Sequence, residues 1–166
     1  LVISKTHDFR TDQTFWNSQF LRPKDCYSFA PCCTNFSQAK TTPKTRTMES
    51  PQGDPNSQED RDANAVADIL IRRCLRLVAL GAHILVENPA LSYMWLLPKM
   101  LLLIGLPGMH LVRIDHCTCG MRYKKPQFWL TTNPEMMKEG EVCFHPTKHP
   151  ETFVGSGKTR ASAPYP

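Results

Sequence analysis

Between Ala63 and Val78 apolar side chains return every three or four positions: Ala63, Val66, Ile69, Leu70, Leu77 and Val78, with Cys74 on the same face. That period belongs to an amphipathic helix with one buried side. Ser57, followed three residues later by Asp60, is a capping pair for a helix beginning near Ser57 to Asp60. Gly81 ends the helix, because glycine takes the left-handed turn that closes one. Directly behind it His83-Ile84-Leu85-Val86 reads as a short apolar strand, with Glu87-Asn88-Pro89 at its carboxyl end. A helix that feeds a strand through a single turn is a building unit of an α/β sheet.

The flanking segments extend that unit. Tyr27 to Ala30 reads as the end of a strand that runs into a loop at Pro31. A second helix is expected over Leu91 to Ile104, bent or divided at Pro98. Leu111 to Ile114 and Phe128 to Thr131 read as two more strands. The alternation predicts an α/β domain with a largely parallel sheet, whose chemistry gathers at the carboxyl ends of the strands. Residues 40–60 are rich in Thr, Ser, Pro and Gln without apolar periodicity, and read as a mobile loop. Residues 1–24 form a poorly defined amino-terminal segment, and residues 134–166 an extended tail. Within the tail, Gly155-Ser156-Gly157-Lys158-Thr159 is only part of a phosphate-loop pattern. Thr152 stands where that pattern needs glycine, and Pro164 and Pro166 leave no room for the helix.

The formal net charge is +5, and the cations come in runs: Lys40 to Arg46, Arg72-Arg73, and Arg122 to Lys125. Such runs suit a polyanion, because bound Lys and Arg release counterions from phosphates. Lys40, Lys44, Arg46, Arg122 and Lys124 are the candidate phosphate contacts. The seven cysteines are an odd number and no secretory signal precedes them, so reduced thiols in an intracellular protein are expected, nuclear if the cell is eukaryotic. The apolar stretch from Leu75 to Leu111 is broken by His83, Glu87, Asn88, Pro89, Pro98, Lys99 and Pro107. A membrane span needs about 20 uninterrupted apolar residues, so none is expected.

Two strand ends carry reactive residues. The first reads Ala30-Pro31-Cys32-Cys33-Thr34-Asn35-Phe36-Ser37-Gln38-Ala39, and the second Val86-Glu87-Asn88-Pro89. In this order they resemble the nucleophile loop (Pro-Cys-x-x-Phe-Ser-x-Ala) and the Glu-Asn motif of DNA (cytosine-5) methyltransferases. The spacing to Phe36-Ser37 puts the family's cysteine at Cys33; Cys32 stands where the motif usually has proline, and Pro31 matches the first proline of its Pro-Pro-Cys version. Which thiol of the pair attacks stays open on sequence, with Cys33 favoured. The resemblance implies a partial S-adenosylmethionine-dependent, Rossmann-like sheet with flanking helices over residues 25–133. It implies methyl transfer to cytosine carbon 5 through a covalent cysteine adduct, with DNA as partner (RNA not excluded).

The chemistry fits such a pair. Carbon 5 of cytosine is a poor nucleophile until a thiolate adds at carbon 6 and makes it enamine-like. A carboxyl group at ring nitrogen 3, here Glu87, stabilises the charge that develops. Asn88 and Pro89 would shape the loop, and the base must leave its stack to be reached. Gly120-Met121-Arg122-Tyr123-Lys124-Lys125-Pro126-Gln127 occupies the place of the family's Gly-x-Pro-Gln-x-Arg element, with Lys125 where its first Arg is expected. Lysine keeps the charge there and loses the bidentate fork.

The family's cofactor loop is rich in glycine and precedes the cysteine, whereas residues 1–32 hold no glycine. With Leu1 in place of Met, the expectation is a truncated product, a decayed copy, or half of a split enzyme completed by a second chain. The competing expectation is a non-catalytic nucleic-acid-binding module. Zinc could stabilise it, since Cys117, Cys119, Cys143, His145 and His149 are thiolate and imidazole ligands that suit a tetrahedral ion.

Overall fold

The computed structural model describes residues 22–40, 44–146 and 149. The expectations for the first segment up to residue 21, for residues 41–43 and for the phosphate-loop-like stretch of the tail lie outside these residues. The described elements are β1 (Cys26–Phe29), α1 (Gln58–Ala79), β2 (His83–Pro89), α2 (Pro98–Ile104), β3 (His110–Asp115) and β4 (Pro126–Thr131). Short 3-10 turns lie at Thr34–Phe36, Tyr93–Leu96, His116–Cys119 and Pro134–Glu139. The fold is α/β.

Helix α1 follows the expected limits. Ser57 caps it by accepting the Asp60 N–H at 3.3 Å, a contact worth about 0.5–2 kcal/mol. Ala63, Ala67, Leu70, Ile71, Cys74 and Leu77 are buried along one stripe. Gly81 closes the helix at φ 75°, its N–H on the Val78 carbonyl and the Ala82 N–H on the Leu77 carbonyl, so the last carbonyls are satisfied and the chain turns straight into β2. Pro98 divides the next helical stretch as expected. It begins α2, where its missing N–H costs no bond.

The four strands form one sheet in the order β1-β2-β4-β3. Strands β1 and β2 are parallel, with Phe29 beside Val86. Strand β4 runs antiparallel to both of its neighbours, so the expected largely parallel sheet is a mixed one. The reason is the link between β3 and β4. A parallel return needs a crossover of roughly a dozen residues or more, usually a helix. Residues 116–125 hold only a 3-10 turn, reversed at Gly120 with φ 88°, so the chain folds straight back. This brings the carboxyl ends of β1, β2 and β3 and the start of β4 to one edge of the sheet.

Alternation sorts the faces. Ile84, Val86 and Leu130 point into the main core, where Leu70, Leu77, Met94, Met100 and Leu103 cover them. Glu87 lies on the opposite face, paired in register with Trp129. There the 3-10 turn Pro134–Glu139 and residues 140–143 run along β3, with the Asp115 N–H on the Glu141 carbonyl and the Cys143 N–H on Asp115 Oδ2. The first part of the expected free tail is therefore bonded to the sheet.

Candidate functional site

The Cys33 loop leaves β1 and the Glu87 motif ends β2, and the parallel pairing of these strands sets the two loops side by side. One buried contact joins them: Asn88 Nδ2 donates to the Pro31 carbonyl at 3.0 Å. Asn88 is buried, so the bond sits out of water, where losing a partner costs most. Ser37 and Ser92 form a further backbone bridge between the loops, and the Trp95 indole N–H holds the Pro89 carbonyl at 2.9 Å. Pro31, Ser37, Asn88 and Pro89 thus take part in the contacts within and between the two loops.

Cys33 begins the 3-10 turn and Phe36 ends it, buried beneath the Arg46 guanidinium at 4.2 Å from its ring centre. Cys33 is half-buried and Cys32 exposed. Burial pushes the Cys33 thiol up, Cys32 and Glu87 push the same way, and the Lys125 charge pulls it down without overcoming them. Burial also raises the Glu87 carboxyl, against the pull of Lys125 and of the Gln127 side chain. Gln127 Nε2 closes no hydrogen bond of ordinary geometry among the described residues, so its pull is that of a polar neighbour rather than a formed bond. Cys33, Glu87 and Lys125 act on one another electrostatically at the same sheet edge: a thiol and a carboxyl, both raised by burial, and a cation that opposes the rise.

Two residues enter the site that the sequence reading passed over. Gln127 is fully buried, and its Oε1 lies 2.7 Å from His116 Nε2. On β4 it stands diagonal to Glu87, across from Pro89. Trp129, directly opposite Glu87, also has a buried indole nitrogen without a partner among the described residues. A glutamine directly before the expected Phe128 to Thr131 strand was the available signal, but its meaning depended on β4 lying next to β2.

The basic residues divide. Arg46 is buried, its guanidinium 3.1 Å from Asp60 Oδ1 and donating to the Pro51 carbonyl at 2.6 Å and to Asn64 Oδ1 at 2.9 Å. Gly53, at φ 76°, leaves room for this hub, since a Cβ there would meet Asp60 Oδ2 at 2.3 Å. The expectation that Arg46 touches phosphate is corrected: its charge and hydrogen-bonding groups serve the fold and tie down the described part of the 40–60 loop. Lys40 pairs with Glu59 at 2.8 Å, and Lys124 with the buried Asp115 at 3.3 Å, so neither offers an unengaged cation. Lys44 and Arg122 are exposed.

Farther along the same edge, Cys117, Cys143, His145 and His149 converge, their ligand atoms all within 4.8 Å of one another. Hydrogen bonds from the His145 backbone and ring draw the Cys143 thiol down to about 6, while burial and its neighbour push Cys117 up. Cys119 is corrected as a member of this group. It is exposed and lies outside the group, with Thr118 Oγ1 at 3.9 Å as its hydrogen-bond contact.

No family description, curated protein or solved structure matches the chain. No helix among the described residues is long and apolar enough to cross a membrane.

Proposed function

We propose that the chain carries the base-activating half of a DNA (cytosine-5) methyltransferase-like site, on a partial Rossmann-like methyltransferase sheet. The observation that carries this reading is the buried Asn88–Pro31 hydrogen bond. It locks the two motif loops together so that Cys33, Glu87 and Lys125 share one edge. A flipped cytosine enters that edge. The Cys33 thiolate, its proton lost to solvent, adds to ring carbon 6, and the carbon 5–carbon 6 π pair moves toward carbon 5. In its protonated form, toward which burial shifts it, Glu87 donates a hydrogen bond at ring nitrogen 3 and stabilises the electron-rich ring. Lys125 draws the thiol toward its thiolate. Carbon 5 then takes a proton from water; loss of a carbon 5 proton and expulsion of Cys33 restore the base with its hydrogen exchanged.

S-adenosylmethionine would supply the methyl group for full transfer. Among the described residues no strand ends in a glycine-rich turn that lets backbone approach such a cofactor. These residues do not fit it. A complementing chain that carries that half is part of the proposal, as is a compartment that holds DNA and reduced thiols.

The test is exchange of the hydrogen at cytosine carbon 5 in DNA without cofactor, against a Cys33→Ser control. Exchange that disappears in the control supports the reading. Its absence from a demonstrably folded wild-type chain overturns it in favour of a non-catalytic nucleic-acid-binding module. The raised Cys33 thiol is the observation on the side of that second reading.

A further inference from the structure

We propose that Cys117, Cys143, His145 and His149 form a structural zinc site that clamps the chain after β4 onto the active edge of the sheet. Two thiols and two imidazoles are a closed donor set for zinc, with no position left for a substrate. The distances suit a cage ready to close. Cys143 Sγ lies 2.9 Å from His145 Nδ1 and 3.3 Å from His149 Nε2, and the whole set lies within 4.8 Å. Around a tetrahedral zinc with bonds of about 2.0–2.3 Å, donor atoms stand roughly 3.3–3.8 Å apart. Binding therefore asks for changes in separation of at most about 1.5 Å, much of it in side chains. Two thiolates also neutralise the dication, so no unbalanced charge is set against the sheet.

The four ligands come from two separate pieces of chain, which is what a clamp requires. Cys117 is buried in the 3-10 turn after β3, and the other three follow the Pro134–Glu139 turn. Asp115 holds the second piece from beneath by accepting the Cys143 N–H at 3.0 Å, and is itself paired with Arg113 at 3.2 Å and Lys124 at 3.3 Å. Such outer contacts orient metal ligands and limit the ordering that the ion must impose.

The clamp bears on the proposed chemistry through one neighbour. His116 precedes Cys117 and meets Gln127 Oε1 at 2.7 Å, and Gln127 faces Glu87. Fixing Cys117 fixes the His116 backbone and with it the polar wall behind Glu87. This consequence rests on the proposed function, whereas the metal site itself does not.

Metal content of the full, tag-free chain tests the site without reference to catalysis. The expected result is about one equivalent of zinc, lost in Cys143→Ala and His149→Ala and retained in Cys119→Ala. Replacement by Co(II) is expected to give the intense visible absorption of a tetrahedral ion and a thiolate charge-transfer band, the latter weakened in Cys117→Ala. A variant can lose metal merely by unfolding, so chelation and re-addition of zinc to the wild-type chain is followed by proteolysis after residue 134. Zinc is expected to restore protection there. Less than about a tenth of an equivalent in folded protein would dispose of the site. So would a cobalt spectrum indifferent to Cys117, tail protection indifferent to zinc, or a Cys117–Cys143 disulfide in the native chain.

Discussion

Two polar groups lie at opposite ends of the same 3-10 turn. At its end, Arg46 covers Phe36 and meets Asp60, the Pro51 carbonyl and Asn64. At its start, Cys33 shares the sheet edge with Glu87 and Lys125. Burial raises the Asp60 carboxyl, but contacts from Thr45, the Asp54 N–H and Arg46 outweigh it, and the net shift is downward. At Glu87 the same penalty wins and the shift is upward. One environment completes its charges and the other leaves them incompletely compensated. The first pattern serves stability, and the second, in which burial outweighs the nearby cation, is the kind of environment the proposed chemistry would draw on.

Substitutions that strike one region and spare the other test this contrast. Cys33→Ser should reduce carbon 5 exchange to background while leaving the thermal transition in place. If the variant retains exchange, attention passes to Cys32. Asp60→Ala should act in the opposite sense, removing about 3–5 kcal/mol of stability because it leaves Arg46 buried and unpaired. Denaturant unfolding reads that loss. The same aspartate gives an acid limb. Its pKa is below the ordinary 3.8, so its contribution is present above that value and disappears as pH falls through the lowered one. The limb should flatten in Asp60→Ala.

Glu87→Gln should lower exchange near neutral pH by about a hundredfold. Its pH profile is the sharper measure. With Cys33 above 9.0 and Glu87 above 4.5, the thiolate fraction rises with pH while the protonated carboxyl fraction falls. The wild-type rate should be level between the two shifted values and fall outside them. In Glu87→Gln only the thiolate fraction varies, so the rate should climb across that range. A profile that climbs alike in both proteins would remove Glu87 from the chemistry. Ser57→Ala should have the smallest effect, about 1 kcal/mol of stability with exchange unchanged.

Local signals in the chain were legible. The Ser57 cap, the Gly81 stop and the break at Pro98 each concern residues within a few positions of one another and appear as expected, whereas the α1 stripe is shifted: Ala67 and Ile71 join Ala63, Leu70, Cys74 and Leu77 in the core, and Val66, Ile69 and Val78 are only half-buried. The site was legible as far as the two loops. Its back wall was not, because Gln127 and His116 acquire meaning only once β4 inserts beside β2, a choice made by the short turn at 116–125. Arg46 was misread for a related reason. A run of cations has the same composition whether it faces solvent or, as here, one member turns inward to an aspartate 14 positions away. The thiol–imidazole group was half legible: its residue types were, whereas the exclusion of Cys119 depended on the tertiary placement that buries Cys117 and leaves Cys119 exposed.

The Asn88–Pro31 contact has a consequence for how the molecule reaches its native state. It joins residues 57 positions apart, across a long loop and the whole of α1. The chain must meet the entropy of closing that loop before the bond gives any return. Helix α1 can form early on local signals, but the two loops can meet only when β1 and β2 have paired around it. Reactivity should therefore emerge late in refolding, with the cooperative transition itself, and a partly folded chain should hold its helix without holding a site.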